Sequence, residues 1–243
     1  MPSNQYFQFK KFKIEQKQSS MKVCTDSCLF GAWIADKLEQ KIINPKLILD
    51  IGSGTGLLSL MMAQKSNASI DAVEIDENSY QQTRQNFQGS HWGRRLQVYH
   101  ADIKNWKEEL KYDLIISNPP FFENDLKAVE KNKNLAKHND GLTFTELIQS
   151  IKIHLAANGD FAILLPFQRI EYFKTLALDN GFYLKDELLV KQTHEHGFFR
   201  GILLFGTKQT KIISEEITIK NETGNYTERF NFLLKDYYLA IKG

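Results

Sequence analysis

Four consecutive residues, Asn118, Pro119, Pro120 and Phe121, follow an apolar run at 112–117 and carry the most chemical content in the chain. Two prolines fix φ and bring no amide protons, so the carbonyl groups around them are held rigidly and left to accept hydrogen bonds. An acceptor pair made of the Asn118 side-chain oxygen and the Pro119 carbonyl suits a planar, conjugated NH₂ group such as adenine N6. Such an amine is a poor nucleophile, because its lone pair is delocalised into the ring. Hydrogen bonds from it to both oxygens favour the pyramidal nitrogen that attacks a sulfonium methyl, and positioning with charge stabilisation is what that transition state requires. The proton can leave afterwards to solvent, so no strong base is needed. Phe121 would stack on the target base, a contact worth ~1–3 kcal/mol. Asn-Pro-Pro also serves as a plain strand-ending turn. Its place after a strand and downstream of a glycine loop favours the catalytic reading.

That glycine loop is Asp50-Ile51-Gly52-Ser53-Gly54-Thr55-Gly56, at the carboxyl end of one predicted strand and the start of a helix. In an open α/β sheet this crevice is where ligands bind. Glycine lets the backbone close over a ligand and reach positive φ. The dinucleotide pattern G-x-G-x-x-G fails because position 57 is Leu57, and no Gly-Lys-Ser/Thr follows to make a P-loop. Glu74, followed by Ile75, ends the second strand, where a carboxylate can take both ribose hydroxyls. After the third strand, Asp102 is placed to accept from an adenine amino group while Ile103 packs on the ring. Any one of these acids could simply cap a helix. Asp50, Glu74 and Asp102 together outline a groove for a cationic nucleoside.

The elements that must hold these residues alternate from about Lys46 to Gly206 in the rhythm of βαβ units. Strands are predicted at 47–51, 68–75, 96–101, 112–117, 159–166, 182–190 and 199–206, seven that fit one sheet. Helices are predicted at 56–65, 77–87, 142–156 and 169–180, with Gly159 and Gly181 closing two of them. Upstream, Thr25 or Asp26 can cap a helix carrying Leu29, Trp33, Ile34 and Leu38. Downstream, 211–220 alternates like a further strand and a last helix starts near Thr227. The stretch from Phe121 to Gly141 is polar and weakly patterned, as long functional loops are. The fold class is therefore α/β, a Rossmann-like seven-stranded sheet with helices on both faces, in a single domain over 1–243.

Bulk composition narrows the class. Hydrophobic residues at 42% and charged residues at 25% are those of an ordinary globular chain. No apolar stretch approaches the ~20 residues that span a bilayer, and the N-terminus lacks a signal-peptide core, so a cytoplasmic protein without membrane attachment is expected. Cys24 and Cys28 have no second pair to complete a zinc ribbon, and His194 and His196 are a weak substitute, so no metal is expected. The net charge of +2 is mild, but its distribution is uneven. The arm 1–22 holds Lys10, Lys11, Lys13, Lys17 and Lys22 against Glu15 alone, interleaved with Tyr6, Phe7, Phe9 and Phe12. This is either a phosphate-tracking arm, with Lys10, Lys11 and Lys13 on the substrate, or an edge strand whose lysines discourage pairing. Monomer and dimer are both left open.

The order Asp-Ile-Gly-Ser-Gly-Thr-Gly, Glu74, Ala-Asp-Ile and Asn-Pro-Pro-Phe resembles class I amino-methyltransferases. More narrowly, the segments at 9–35, 135–148 and 226–239 resemble the bacterial tRNA1(Val) (adenine-N6)-methyltransferases, which modify the purine 3′ of the anticodon. The resemblance implies S-adenosyl-L-methionine as cofactor and the single-stranded anticodon loop of a tRNA as partner. It places Lys22, Thr25 and Asp26 in the segment that closes over the cofactor, and Asn118 to Phe121 in the amine clamp. Cys24 and Cys28 stand where smaller or apolar residues are expected in relatives, a further point against a metal. His138 is either an RNA contact or the cap of the following helix. Two alternatives stand beside it. One keeps the chemistry but uses guanine N2 of ribosomal RNA or a release-factor glutamine amide, the other is a non-catalytic binding protein that retains the cofactor.

Overall fold

In a computed structural model, residues 5–19, 22–119 and 141–241 are described. A two-stranded antiparallel hairpin, β1 (Tyr6–Gln8) and β2 (Lys13–Glu15), precedes helix α1 (Thr25–Glu39). Strand β3 (Leu47–Ile51), helix α2 (Leu57–Lys65), strand β4 (Ser69–Glu74), helix α3 (Glu77–Gln88) and strands β5 (Leu96–His100) and β6 (Tyr112–Ser117) follow. The remainder is α4 (Phe144–His154), β7 (Leu155–Pro166), α5 (Ile170–Asp179), β8 (Tyr183–Lys191), β9 (Phe198–Gly206), β10 (Ile213–Thr218) and α6 (Glu228–Leu234).

Strands β3 to β10 form one sheet in the order β10-β8-β9-β7-β6-β3-β4-β5. It is parallel except for β9, which runs antiparallel to both β7 and β8. The seven expected strands lie side by side, and β10 adds an eighth by pairing in parallel with β8 at the edge. Alternation along the strands sends Ile48, Leu114, Ile116 and Leu164 to one face, against α1, α2 and α6. It sends Leu49, Ile51, Ile115 and Ile163 to the other, against α4 and α5. Apolar residues on both faces are what a helix-covered parallel sheet needs.

Two glycines expected to end helices behave differently. After α5, Gly181 has φ +84° and donates to Leu178, while Phe182 donates to Ala177, the paired bonds of a glycine-terminated helix. After α4 the helix stops earlier, at His154, and Gly159 lies inside β7. There a Cβ would come 2.8 Å from Leu155 and 3.0 Å from the Tyr112 carbonyl, so close approach to β6 is what demands glycine. The α4 start is a full capping box, with Thr143 accepting from Glu146 and Glu146 bonding back to the Thr143 amide.

The N-terminal arm does not edge the large sheet. Phe9, Phe12 and Ile14 are buried in the same core as α1 and α6, and Phe9 bridges Tyr238. The start of α1 is also shifted, since the cap position falls on Cys24 and Asp26 is drawn to Arg200 at 2.9 Å. No helix among the described residues is long and apolar enough to cross a membrane.

Candidate active site

Strand order reverses at β3, whose neighbours β4 and β6 lie on opposite sides, and the crevice beyond the carboxyl ends at such a point is a ligand site. A cavity of about 290 Å³ opens there, lined by Ile51 at the end of β3 with Gly52 and Gly54 of the following loop, and by Glu74 at the end of β4 with Ile75 and Asp76 after it. Asp102, Ile103 and Lys104 after β5, and Ser117 at the end of β6 with Asn118 and Pro119 after it, complete most of its wall.

The glycine loop needs its glycines. Gly52, Gly54 and Gly56 sit at φ +73°, +59° and +77°, a region that side-chain-bearing residues rarely adopt. The loop is then pinned from α3. Thr83 donates to the Gly54 carbonyl at 2.9 Å and Asn86 to the Thr55 carbonyl at 2.8 Å. Ser53 Oγ lies 3.4 Å from the Thr83 hydroxyl. Asn86 also exchanges two bonds with the backbone of Glu15, tying the loop through α3 to the N-terminal hairpin.

Glu74 is buried and its carboxylate is oriented by two amides, that of Gly54 at 2.8 Å on Oε2 and that of Asp76 at 3.0 Å on Oε1. A carboxylate offers about four lone-pair sites, so capacity remains for the paired hydroxyls of a ribose. Ile75 beside it is 58% exposed, an apolar surface at the cavity wall. Asp102 accepts from the Lys104 amide at 3.0 Å, and Ile103 is buried next to it. This donor and acceptor set, with Gly52 and Gly54 presenting bare backbone to the cavity, fits an adenosine-bearing cofactor.

Asn118 closes the far side. Its amide nitrogen donates to Ser27 Oγ at 2.8 Å, and Ser27 Oγ lies 2.9 Å from Cys24 Sγ. Its Oδ1 is buried with no hydrogen-bond partner among the described residues. A buried acceptor left unpaired costs free energy and usually has a functional reason. Pro119 stands next to it in the cavity wall.

Other expected positions fall elsewhere. Asp50 is fully buried beneath the loop and does not line the cavity; Ser59 donates to its Oδ2 at 2.6 Å, Oδ1 has no partner among the described residues, and burial pushes its carboxyl up to about 7. Lys22 donates to the Gln16 carbonyl and Thr25 opens α1, and neither lines the cavity. Lys10 donates to the carbonyls of Lys235 and Ile241 at 2.5 and 2.7 Å, so it anchors the chain's two ends. Lys13 pairs with Glu15 at 2.5 Å and sits over the Tyr6 ring, and Lys11 is exposed. Pro120, Phe121 and His138 lie outside the described residues. Cys24 and Cys28 are free thiols, and no group of three or more His, Cys, Asp or Glu among the described residues could hold a metal.

Several contributors are not evident from motifs. Ser27 acts through a bond to a residue 91 positions away. Thr83 and Asn86 carry a weak signal, polar residues three apart on a helix face that turns out buried. Asp76 caps α3 by accepting from Ser79 at 2.9 Å, a pattern legible in the Asp-Glu-Asn-Ser run.

Comparison with known proteins agrees with this geometry. Residues 31–177 match the methyltransferase small domain family. The chain is 39% identical over 244 residues to a tRNA1(Val) (adenine(37)-N6)-methyltransferase of Christiangramia forsetii, covering 98% of this chain and 100% of that one. It is 38% identical over 236 residues to the protein of the same name from Pseudoalteromonas translucida, covering 97% and 99%. Among solved structures, a ribosomal protein L11 methylase from Lactobacillus delbrueckii subsp. bulgaricus superposes with TM-score 0.57 at 14% identity, covering 81% of this chain and 84% of that one. TYW2 of P. horikoshii in complex with MeSAdo does so with TM-score 0.60 at 16% identity, covering 83% and 70%. These structural likenesses concern the fold, whereas the sequence relationships extend over nearly the full length and assign the chain to the methyltransferase small domain family and, within it, to the tRNA1(Val) (adenine(37)-N6)-methyltransferases.

Proposed function

We propose that this chain is an S-adenosyl-L-methionine-dependent methyltransferase that methylates the exocyclic N6 of an adenine in tRNA, the adenosine 3′ of the anticodon of tRNA1(Val). The observation that carries the reading is the buried Oδ1 of Asn118, without a hydrogen-bond partner among the described residues, in the wall of a cavity at the carboxyl ends of the strands. When bound, S-adenosyl-L-methionine supplies an electrophilic methyl group on a sulfonium.

The chain's own residues supply the rest. Glu74 takes the ribose hydroxyls with the oxygens that Gly54 and Asp76 orient. Asp102 accepts from the adenine amino group, and Ile75 and Ile103 contact the ring. Gly52, Gly54 and Gly56 let the loop backbone approach, with Ser53 and Thr55 holding its shape and Asp50 supporting it from below. Lys22 and Thr25 belong to the segment that carries Ser27 to the site. At the acceptor, the amine donates one hydrogen bond to Asn118 Oδ1 and one to the Pro119 carbonyl, which orients the nitrogen lone pair toward the methyl. Pro120 and Phe121 belong to the same amine clamp by the Asn-Pro-Pro-Phe motif, with Phe121 as the stacking partner of the base. Lys11 and Lys13 give the N-terminal hairpin a positive face for the tRNA backbone, and His138 completes the substrate set. The protein acts as one catalytic domain in the cytoplasm.

The test is transfer of labelled methyl from S-adenosyl-L-methionine to total tRNA from a strain lacking the enzyme, followed by nucleoside analysis. Labelled N6-methyladenosine is the expected product. Intact cofactor binding with no label in tRNA, but label in ribosomal RNA or a release factor, would overturn the acceptor assignment.

A further inference from the structure

The rim of the sheet beside Asn118 carries a second group of side chains that the chemistry above does not use. Strand β7 lies next to β6, with Ile163 opposite Ser117, and runs three residues further to Pro166. It ends in a turn of 3-10 helix, Phe167–Arg169. The antiparallel β9 begins at the same rim, with Arg200 opposite Pro166, and Phe198 pairs with Lys191 at the end of β8. Topology thus brings Phe167, Phe198 and Lys191 together one to three strand spacings of ~4.8 Å from the strand that bears Asn118.

These rings are not core. Phe167 and Phe198 belong to neither of the two hydrophobic clusters, and Phe167 is 38% exposed. Their centroids lie 5.2 Å apart with planes tilted by 35°. Lys191 Nζ stands 4.3 Å from the Phe198 centroid while also pairing with Glu216 at 3.0 Å. Arg169 ends the same turn that Phe167 opens and adds a second cation beside it. An exposed ring, Phe167, beside a half-buried one, Phe198, interleaved with cations, suits the faces of nucleobases and their phosphates, because every base offers a π face and the backbone a negative charge. An apolar protein partner would gain nothing from the cations.

We propose that Phe167 and Phe198, flanked by Lys191 and Arg169, form a stacking platform for a nucleotide adjoining the methylated base in single-stranded RNA. The proposal rests on the RNA reading above. A base held at Asn118 must bring its neighbours onto the adjoining rim, and on the β7 side that rim is this pair of rings. The platform contributes to RNA affinity and register. It has no part in cofactor binding, since none of its residues lines the cavity.

The test compares the full-length wild type with Phe167→Ala/Phe198→Ala, Phe167→Leu and Phe167→Trp. Methylation of an unmodified tRNA transcript is followed over RNA concentration, S-adenosyl-L-methionine affinity is measured by calorimetry, and melting temperature reports folding. The double variant is expected to raise the KM for RNA about ten-fold, the loss of one stacked base. Phe167→Leu should lose affinity and Phe167→Trp should keep it, with cofactor affinity unchanged throughout. An unaltered KM in the double variant while the wild type methylates the transcript would overturn the platform and leave the RNA reading standing. Loss restored equally by Leu and Trp would also overturn it, since shape alone would then suffice. A wild type that methylates a release-factor peptide and no RNA would sink both.

Discussion

Asn118 donates its side-chain N–H to Ser27 Oγ at 2.8 Å, and that one bond decides which end of the amide is left for the cavity. With the nitrogen committed to Ser27, the group left without a partner among the described residues is the acceptor Oδ1, the atom an amine substrate requires. Replacement of Asn118 by alanine is expected to abolish methyl transfer while S-adenosyl-L-methionine affinity stays within a few-fold. Calorimetry beside a turnover assay checks this, and a parallel loss of both would refute the separation of roles.

Ser27→Ala frees the amide to rotate. Turnover should fall about ten-fold, the worth of one well-placed hydrogen bond. The KM for cofactor should hold, and Ser27→Thr should recover much of the loss. Equal activity in the alanine variant would show that the orientation of Asn118 is maintained by other means.

Glu74→Gln puts an NH₂ against one of two backbone amides that now both meet oxygen. Cofactor affinity is expected to drop at least ten-fold, given that hydrogen bonds to a charged group are worth ~1.5–3 kcal/mol. The turnover number at saturating cofactor should change much less. Titration calorimetry and saturation kinetics separate the two.

Lys37 and Asp186 form an ion pair between α1 and β8, with side chains only 8% and 5% exposed, and Lys37 Nζ also stands 4.1 Å from the Trp33 ring centroid. Lys37→Met leaves a buried carboxylate without its cation, which typically costs ~3–5 kcal/mol. Denaturant unfolding should show that loss, and Lys37→Met combined with Asp186→Leu should recover most of it.

Burial raises the Asp50 carboxyl from 3.8 to about 7 in the folded chain. The native state therefore holds a proton that the unfolded state has released between those two values, so this group's contribution to stability declines as pH rises from about 4 to about 7 and is flat above. Asp50→Asn should remove that part of the slope. Unfolding free energies measured in urea across this range decide it, and an unchanged slope would place the titration elsewhere.

Strands β3 to β9 were legible because strands of a helix-covered sheet read as short apolar runs between turn signals. The glycine loop was legible because only glycine adopts three positive φ values within five residues at no cost. Gly159 misled because a glycine after an apolar helical stretch resembles a helix end, and nothing local reveals that Leu155 and the Tyr112 carbonyl crowd it. The partners of Lys10 were not legible either: it donates to carbonyls 225 and 231 residues away, which no local pattern reveals.

By itself the sequence determined the order of elements from α1 onward and the family, and it named the candidate groups for a methyl donor and an amine, since each is written in residue types within a few positions. Tertiary structure alone decided how those groups are held. Ser27 reaches Asn118 across 91 residues, Thr83 and Asn86 reach the loop across 29 and 31, and Phe167 meets Phe198 only because β9 turns back antiparallel beside β7. Side-chain hydrogen bonds and ring contacts act over a few ångströms in space, and which distant residues come that close is set by how the helices and strands pack.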